Sequence, residues 1–158
     1  MSEDKIKNII IDKLGVEESK ITMDADFQHS PYFINDFVCI KPDISIVYGK
    51  RNLLHPMPLH RIISNYITSK IISFVFMAEV YDSQCGFRRY KLEDINKIIV
   101  YENGYQYETE ILIKSIKMNL SISPVSISTI YSNEISNLPF IKNILSFAKL
   151  IIILRIYD

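Results

Sequence analysis

The sequence predicts one α/β domain, and three observations lead to that prediction. The chain has 158 residues with 48% hydrophobic content, enough for a single core of moderate size. The segment at 43–48 has the length and composition of a buried strand, and the short apolar run at 21–23 is predicted to belong to a strand that enters the core. Longer segments place apolar residues at steps of three and four, which is the period of an amphipathic helix.

The composition excludes several classes of protein. Lys plus Arg equals Asp plus Glu, 18 of each, so no overall positive field favours nucleic acid. The two cysteines, Cys39 and Cys85, are far apart and have no metal-ligand spacing, which is typical of a reduced, cytoplasmic compartment. The N-terminal segment is charged and amphipathic and does not have the pattern of a secretory signal.

The predicted elements cover most of the chain. The first helix covers 4–14, with Ile6, Ile9 and Leu14 at helical spacing and Gly15 as its terminator. Further helices are predicted at 32–41, 59–77, 91–100, 108–118 and 138–156, a further strand at 43–48, and a pair of strand segments at 121–123 and 124–130.

Two of these helices have apolar surfaces that need a partner. The helix at 59–77 carries a stripe that we expect to pack in the core or face a membrane, not to bind a cofactor. The helix at 138–156 is interrupted by Lys142, Lys149 and Arg155, so it cannot span a bilayer and is predicted to lie at a membrane surface or pack on the domain. The apolar stripe of the helix at 59–77 consists of Leu59, Ile62, Ile63, Tyr66, Ile67, Ile71, Phe74 and Val75.

Two carboxylates follow the first predicted strand. Asp24 and Asp26 are one residue apart, and the period of two along a strand places both side chains on one face. Such a pair can bind a hard divalent cation whose open positions take phosphate oxygens. The alternative for an isolated Asp-x-Asp is a pair of solvated loop residues.

A second polar motif reads Asp82-Ser-Gln-Cys-Gly-Phe-Arg88. Gly86 permits a tight turn or a close backbone approach, and Phe87 supplies an apolar anchor. Asp82 can act as a general base toward a hydroxyl acceptor, or only orient an acceptor phosphate that is already ionised. The structural alternative is an ion pair between Asp82 and Arg88.

A third candidate lies just after the predicted strand at 43–48, in Gly49-Lys50-Arg51. An Arg at the carboxyl end of a strand can fork onto phosphate oxygens, so Arg51 is a candidate phosphate ligand. The alternative is a solvated surface Arg.

From Asp24 onward the chain resembles the second half of a family 2 glycosyltransferase of the polyprenyl-phosphate sugar synthase type. The family's Asp-Ala-Asp-Leu-Gln-His-Pro-Pro is similar to residues 24–31, and its Asp-Thr-Gln-Cys-Gly-Phe-Arg is similar to 82–88. Its Tyr-x-x-Glu-x-Glu and Thr-Ile-Tyr-x-x-Glu-x-Ser match 105–110 and 129–136.

The resemblance implies a partial GT-A fold, that of nucleotide-diphospho-sugar transferases, lacking its first strands and ending in an amphipathic helix. It divides the chain into an unassigned helix and turn at 1–21, a catalytic half-domain at 22–137 and the last helix at 138–158.

The resemblance also implies roles for individual side chains. Asp24, Asp26 and Gln28 would bind Mg or Mn with the diphosphate of a nucleotide-sugar donor, while His29 is expected in a polar loop. Phosphate groups would be bound by Arg51 and by Arg61, which with Asn65 matches the family's pattern at the start of the long helix. The acceptor side would be lined by Asp82, Arg88 and Glu108, while Glu110 is expected to cap its helix.

The expected activity is an inverting, metal-dependent transfer of a sugar from a nucleotide sugar to a lipid phosphate, a glycan or another acceptor, in the cytoplasm or at the inner face of the membrane. In the family, the nucleotide's base and ribose are held by the half that precedes Asp-x-Asp, and only 23 residues precede it here. We therefore expect a truncated or fused gene product, or a second chain that supplies the first half. The alternative function is an inactive remnant that binds a membrane surface or a partner chain.

Residues 6–22 also resemble the first helix and loop of an acyl carrier protein. That family attaches its phosphopantetheine to the Ser of an Asp-Ser-Leu motif, and this sequence contains none. We therefore expect this resemblance to be a coincidence or the trace of a gene fusion.

Overall fold

The computed structural model describes residues 19–23, 29–52, 57–130 and 140–156. Within these ranges four strands form one mixed sheet: β1 (Ser19–Thr22), β2 (Ile46–Arg51), β3 (Arg88–Lys91) and β4 (Ile122–Ile127). Their order across the sheet is β1-β3-β2-β4. β2 is parallel to β4 and antiparallel to β3, and β3 is antiparallel to β1.

The same ranges contain α1 (Ile34–Cys39), α2 (Leu59–Phe76), α3 (Leu92–Ile95), α4 (Tyr107–Lys117) and α5 (Phe140–Ile156). Short 3₁₀ turns, Pro31–Phe33 and Gly104–Gln106, precede α1 and α4. Helix α4 ends where Asn119 adopts the left-handed conformation, with φ of 55°. The Leu120 N–H then bonds to the Ser115 carbonyl at 2.9 Å, which closes the helix end.

Neighbouring residues of β2 belong to different parts of the core. Ile46 packs with Tyr90 and with Ile111 of α4, whereas Val47 packs with Phe37 of α1. Because successive strand residues point to opposite faces, α1 and α4 cover opposite faces of the sheet. A further cluster joins α2, α4 and α5 through Ile72, Leu112, Ile113, Phe147, Leu150, Ile151 and Leu154.

The carboxyl ends of the parallel strands β2 and β4 form one edge of the sheet. Their register pairs Lys50 with Ser126 and Arg51 with Ile127. The segment that connects α2 to β3 passes this edge, where the Gly49 N–H donates to the Phe87 carbonyl at 2.9 Å. The motif at 82–88 is thereby held next to Arg51. Crevices at such an edge are where open α/β sheets commonly bind ligands.

Most predicted helices are confirmed, with two exceptions among the described elements. The prediction for 59–77 corresponds to α2, that for 108–118 to α4, and that for 138–156 to α5. The helix predicted at 91–100 is wrong beyond its first turn, because α3 ends at Ile95 and Lys91 belongs to β3. The helix at 32–41 is shorter and begins as a 3₁₀ turn.

The strands show larger differences. The predicted strand at 43–48 starts at Ile46 and continues through Gly49 to Arg51. Strand β3 was not predicted, because Arg88-Arg89-Tyr90-Lys91 has no apolar alternation although its first three residues are buried. The strand can bury its arginines because backbone carbonyl groups accept hydrogen bonds from their guanidinium groups. The Arg89 guanidinium donates to the carbonyls of Ile40 and Lys41, each at 2.8 Å.

Of the two arrangements predicted for the stripe of α2, in the core or facing a membrane, packing in the core does not occur for most of the stripe. Phe74 is 81% exposed and Leu59 is 70% exposed, and Ile63, Tyr66, Ile67 and Ile71 are exposed as well. The buried residues of α2 are Asn65, Thr68, Ser69 and Ile72. The helix is therefore rotated so that a mainly polar face points inward, toward the buried Asp82.

Helix α5 packs on the domain, one of the two arrangements predicted for it. Phe147, Leu150 and Leu154 are buried, and the Lys117 ammonium of α4 donates to the Leu154 carbonyl at 2.8 Å. No helix in the described part of the chain is long and apolar enough to cross a membrane.

Two other predictions concern residues beyond those described. The helix at 4–14 and most of the loop at 129–136 lie outside the described ranges. The predicted boundary between 21 and 22 falls inside β1.

Candidate functional site

Arg51 and Asp82 form a bidentate ion pair at the carboxyl end of β2. The Arg51 Nε donates to Oδ2 of Asp82 at 2.7 Å, and Nη2 donates to Oδ1 at 2.9 Å. The Arg51 backbone N–H also donates to Oδ2, at 3.2 Å. Asp82 is fully buried. Its ion-pair partner is Arg51, whereas the alternative considered from the sequence was an ion pair with Arg88.

The polar face of α2 supports the same carboxylate. Asn65 Nδ2 donates to Oδ1 of Asp82 at 2.9 Å, and the Ser69 hydroxyl lies 3.4 Å from the Asn65 side-chain oxygen. Ser69 also accepts from the Ser83 N–H at 3.0 Å. Asn65, Ser69 and Ser83 are all buried. A buried carboxylate requires such partners, which explains why α2 turns polar residues inward.

Arg88 organises the turn that contains Asp82. Its guanidinium is fully buried and donates to the carbonyls of Ser83 and Cys85 at 2.8 Å and of Glu108 at 2.6 Å. These bonds connect the motif to the start of α4. Arg88 is therefore a scaffold of the loop, and its side chain is directed at backbone oxygens.

The apolar residues of the motif fix its position on the sheet. Phe87 stacks on Phe37 with ring centroids 4.3 Å apart and an interplanar angle of 14°. Cys85 is buried against Gly49, where a Cβ would lie 2.8 Å from the thiol sulfur. Burial raises the pKa of the Cys85 thiol to about 12. The thiol stays protonated near neutral pH and does not supply a nucleophile.

A cleft of about 730 Å³ opens beside this ion pair. Its walls come from the end of β2, the exposed side of α2, the segment at 80–81 and the end of β4. The residues of the described part of the chain that line it are Phe33, Lys50, Arg51, Asn52, Tyr66, Ser69, Lys70, Val80, Tyr81, Ser126, Ile127 and Ser128. Cations, hydroxyl groups and aromatic rings thus surround one concave surface at the sheet edge.

Solved structures of a glycosyltransferase share this fold. Glucosyl-3-phosphoglycerate synthase from Mycobacterium tuberculosis, in complex with Mn²⁺, UDP-glucose and phosphoglyceric acid, aligns with a TM-score of 0.61. The alignment covers 87% of this chain and 48% of that chain, at 14% sequence identity. A second structure of the same enzyme, in complex with phosphoglyceric acid, gives a TM-score of 0.60. The chain has a partial GT-A glycosyltransferase fold.

A curated protein of no stated function matches the chain by sequence. An uncharacterized protein of Methanocaldococcus jannaschii is 34% identical over 122 residues, which cover 71% of this chain and 49% of that protein. The chain therefore spans about half the length of the curated relative and of the solved structures that it matches. No family model matches the sequence.

Within the GT-A fold, the predicted site residues fall into separate groups. Arg51 and Asp82 meet directly, and Arg88 contacts the loop around them. Arg61 lies in the first turn of α2 and is partly buried, but it is not among the described residues that line the cleft. Glu108 lines a second cavity, of about 240 Å³, with Thr22, Gly86 and Tyr90.

The predicted metal ligands are not described. Asp24, Asp26 and Gln28 lie outside the described residues, and among the described ones no group of three or more His, Cys, Asp and Glu side chains could hold a metal ion. The donor set of two carboxylates and an amide oxygen nevertheless fits Mg or Mn, which prefer oxygen ligands.

His29, the residue after Gln28, is buried, contrary to its prediction as part of a polar loop. It pairs with Thr129 in an isolated antiparallel bridge and lies 5.9 Å from the Phe87 ring.

Glu110 is structural, but the prediction that it caps its own helix is wrong, because its carboxylate binds the preceding segment and Lys114. Its carboxylate accepts from the N–H groups of Tyr101 at 3.0 Å and Glu102 at 2.7 Å, and from the Lys114 ammonium at 2.8 Å. Burial opposes ionisation, but these partners outweigh it and hold the pKa of Glu110 below its ordinary value.

Several residues of the cleft were not singled out from the sequence. Lys50 and Lys70 line it, together with Tyr81 and the hydroxyl groups of Ser126 and Ser128. One feature of the sequence indicated a positively charged helix, since 59–76 contains Arg61 and Lys70 and no acidic residue. The orientation of α2 was not apparent, because the apolar stripe indicated the opposite face.

Proposed function

We propose that this chain is the acceptor-side half of an inverting, metal-dependent nucleotide-sugar transferase whose acceptor carries a phosphate group. The observation that carries the proposal is the buried Arg51–Asp82–Asn65 network at the carboxyl end of β2, in a partial GT-A fold. Structures of the mycobacterial enzyme with this fold contain Mn²⁺ with UDP-glucose and either phosphoglyceric acid or glycerol 3-phosphate.

The binding site for the nucleotide-sugar donor is proposed to lie at residues 24–28, which precede β2 in the sequence. Asp24, Asp26 and Gln28 would hold Mg or Mn together with the diphosphate of the donor. The bound metal would supply positive charge to the departing nucleoside diphosphate. Arg51 and Arg61 are proposed to bind phosphate groups, and Glu108 to line the acceptor side.

The contacts of Asp82 favour a phosphate acceptor over a hydroxyl acceptor. A general base needs an oxygen free to take a proton from the attacking group, and both oxygens of Asp82 already accept from Arg51 or Asn65. An ionised phosphate attacks the anomeric carbon without a base while the bond to the diphosphate breaks. Asp82 is then a positioning residue that fixes Arg51, and Arg88 fixes the loop.

The test is a calorimetric titration of the purified chain with UDP and with GDP, each in the presence and absence of Mn²⁺. We expect binding that requires the metal and is lost in the Asp24→Ala, Asp26→Ala double variant. A matched control is the Asp36→Ala, Asp43→Ala double variant, which removes two exposed carboxylates and should bind as the wild type does. Absence of metal-dependent binding in a chain shown to be folded by circular dichroism would refute the proposal.

A second candidate function is a non-catalytic module that binds a membrane surface or a partner chain. The observation that favours it is the exposed apolar side of α5, where Leu145 is 65% exposed and Ile152 is 55% exposed. This module would bind neither UDP nor GDP, so the same titration separates the two candidates.

A further inference from the structure

One side of helix α2 is apolar and exposed from end to end. Leu59 at its start is 70% exposed, Phe74 near its end is 81% exposed, and Met77 directly after it is 88% exposed. At about 100° per residue, the exposed apolar side chains of the helix fall within an arc of about 140°. This surface, the outer face of α2, consists of Leu59, Ile63, Tyr66, Ile67, Ile71, Phe74 and Met77. A contiguous apolar area of this length marks an interaction site.

Helix α2 supplies positive charge and no negative charge to this face. Between Asp43 and Glu79 the sequence contains no acidic residue. Lys70 is exposed, and its position lies inside the apolar arc, about 20° from Leu59. The Lys70 Nζ is 5.6 Å from the centroid of the Tyr66 ring, a contact that orients the ammonium group without cancelling its charge. The outer face therefore fits a partner that is both apolar and negatively charged.

An anionic lipid surface has this combination, because charged headgroups lie directly over hydrocarbon. A Lys side chain can bury its stem among apolar groups while its ammonium group stays with the lipid phosphates. Tyr is favoured at the same boundary, since its ring is apolar and its hydroxyl is polar. The opposite side of α2 is buried in the domain through Asn65 and Ile72, so the helix would contact the lipid along one side and lie in the plane of the surface.

A second copy of the chain fits the outer face less well. In a two-fold symmetric contact, residues near the middle of the contacting helix meet their own copies. Lys70 lies near the middle of α2, so such a contact would bring two ammonium groups together between apolar side chains. The helix has no carboxylate to pair with them, and an unpaired charge in a buried contact is costly.

We propose that the outer face of α2 binds the surface of an anionic lipid bilayer. The apolar side chains enter the boundary between the headgroups and the acyl chains, and Lys70 lies at the level of the lipid phosphates. This surface is separate from the exposed side of α5. The proposal does not depend on the proposed function, because a helix face binds a bilayer whether or not the chain transfers a sugar.

The first experiment uses fluorescence, since the sequence contains no tryptophan and a single introduced one reports on its own surroundings. Phe74→Trp places the reporter on the outer face of α2, and Leu145→Trp places it on α5, at a position that is 65% exposed. Each full-length variant is mixed with phosphatidylcholine vesicles that contain or lack phosphatidylglycerol. We expect the emission of Phe74→Trp to move to shorter wavelength with the anionic vesicles and to move less at high salt. The emission of Leu145→Trp should not change.

Vesicle sedimentation measures what the native side chains contribute. The Ile63→Ser, Phe74→Ser double variant should bind anionic vesicles at least about tenfold more weakly than the wild type, because it loses two apolar side chains from the contact. Lys70→Gln should bind about fivefold more weakly, the effect of one charge near an anionic surface. Because all three residues are exposed, these variants should keep the urea midpoint of the wild type.

Matched variants on α5 are the controls. The Leu145→Ser, Ile152→Ser double variant removes two exposed apolar side chains, and Lys149→Gln removes one exposed charge, so both should bind the vesicles as the wild type does.

The proposal is overturned if the wild type does not bind anionic vesicles, or if the α2 variants bind as tightly as the wild type. Equal losses in the α5 variants would also overturn it, since the contact would then not be specific to α2. Sedimentation velocity without lipid covers the remaining occupant. Self-association of the wild type that disappears in the Ile63→Ser, Phe74→Ser variant would assign the outer face to a second copy of the chain.

Discussion

Arg51 and Asp82 are joined by two parallel hydrogen bonds, Nε to Oδ2 at 2.7 Å and Nη2 to Oδ1 at 2.9 Å. The pair connects the end of β2 to the loop that follows α2, two segments separated by 31 positions in the sequence. The side chain of Asp82 is 1% exposed and that of Arg51 is 10% exposed. The pair therefore fixes one wall of the cleft and depends on the surrounding fold for its low exposure to water.

Removing one member of the pair should destabilise the protein strongly. Asp82→Asn leaves the Arg51 guanidinium without its counter-charge in a site with little water, and we expect a loss of about 3–5 kcal/mol in the free energy of unfolding. Arg51→Gln should cost a similar amount. Urea unfolding of both variants and of the double variant measures their coupling. Losses that simply add would contradict a direct interaction between the two side chains.

The orientation of α2 makes a paired prediction about two neighbouring apolar residues. Ile72→Ala should lose about 2–5 kcal/mol because Ile72 is fully buried among α4 and α5. Phe74→Ala should change stability by less than about 0.5 kcal/mol, since Phe74 is 81% exposed. Thermal and urea unfolding of the two variants check this. A larger loss at Phe74 than at Ile72 would mean that the sequence stripe, and not the polar face, points inward.

Gly49 is a position where any side chain is overpacked. A Cβ there would lie 2.6 Å from Ile127 Cδ1 and 2.8 Å from Cys85 Sγ, and both neighbours are buried. We expect Gly49→Ala to lose about 1–3 kcal/mol of stability. Adding Ile127→Val removes the Cδ1 atom and should restore part of the loss. Gly104→Ala is not a suitable control, because Gly104 has a positive φ of 73°, where any side chain is strained.

The ionised Glu110 should make stability depend on acid pH. Its folded pKa lies below its ordinary value, so its stabilising contribution is present above about pH 4.5 and is lost as the pH falls through the folded pKa. Glu110→Gln should be less stable than the wild type by about 1–2 kcal/mol at neutral pH, and the difference should shrink as the pH falls below the ordinary carboxyl pKa of 4.5 and through the lower folded pKa. Urea midpoints across this range measure it, with Glu93→Gln, whose side chain is 60% exposed, as the control.

A difference between wild type and Glu110→Gln that stays constant over the whole range would contradict this account. It would mean that shape, and not the charge of the carboxylate, holds the segment at 101–102 onto α4.

The local elements and the motifs were predictable from the sequence. Helices α2, α4 and α5 follow from apolar periodicity because they extend over many turns, and β2 follows from the Ile, Val and Tyr residues at 44–48 that precede Gly49. The motif at 82–88 was recognised as polar and turn-like, and Arg51 as a charge at a strand end. These are properties of adjacent residues, which a single sequence carries directly.

The partners of the charges were not predictable. Asp82 and Arg88 occur in one motif, yet Asp82 pairs with Arg51 while Arg88 binds the carbonyls of Ser83, Cys85 and Glu108. Strand β3 was missed for the same reason, since its buried Arg89 is stabilised by the carbonyl groups of Ile40 and Lys41, which are distant in the chain. Periodicity reports apolar burial and carries no information on such long-range hydrogen bonds.

The sequence alone determined that this protein is an α/β chain with long amphipathic helices and polar motifs at strand ends, because these features depend on local spacing and backbone preference. Only the tertiary structure decided which face of α2 points inward. Burying the Asp82 carboxylate requires polar partners, and Asn65 and Ser69 meet that requirement at the cost of exposing the apolar stripe. That choice brings Lys70 and Tyr66 to the cleft beside Lys50 and Arg51.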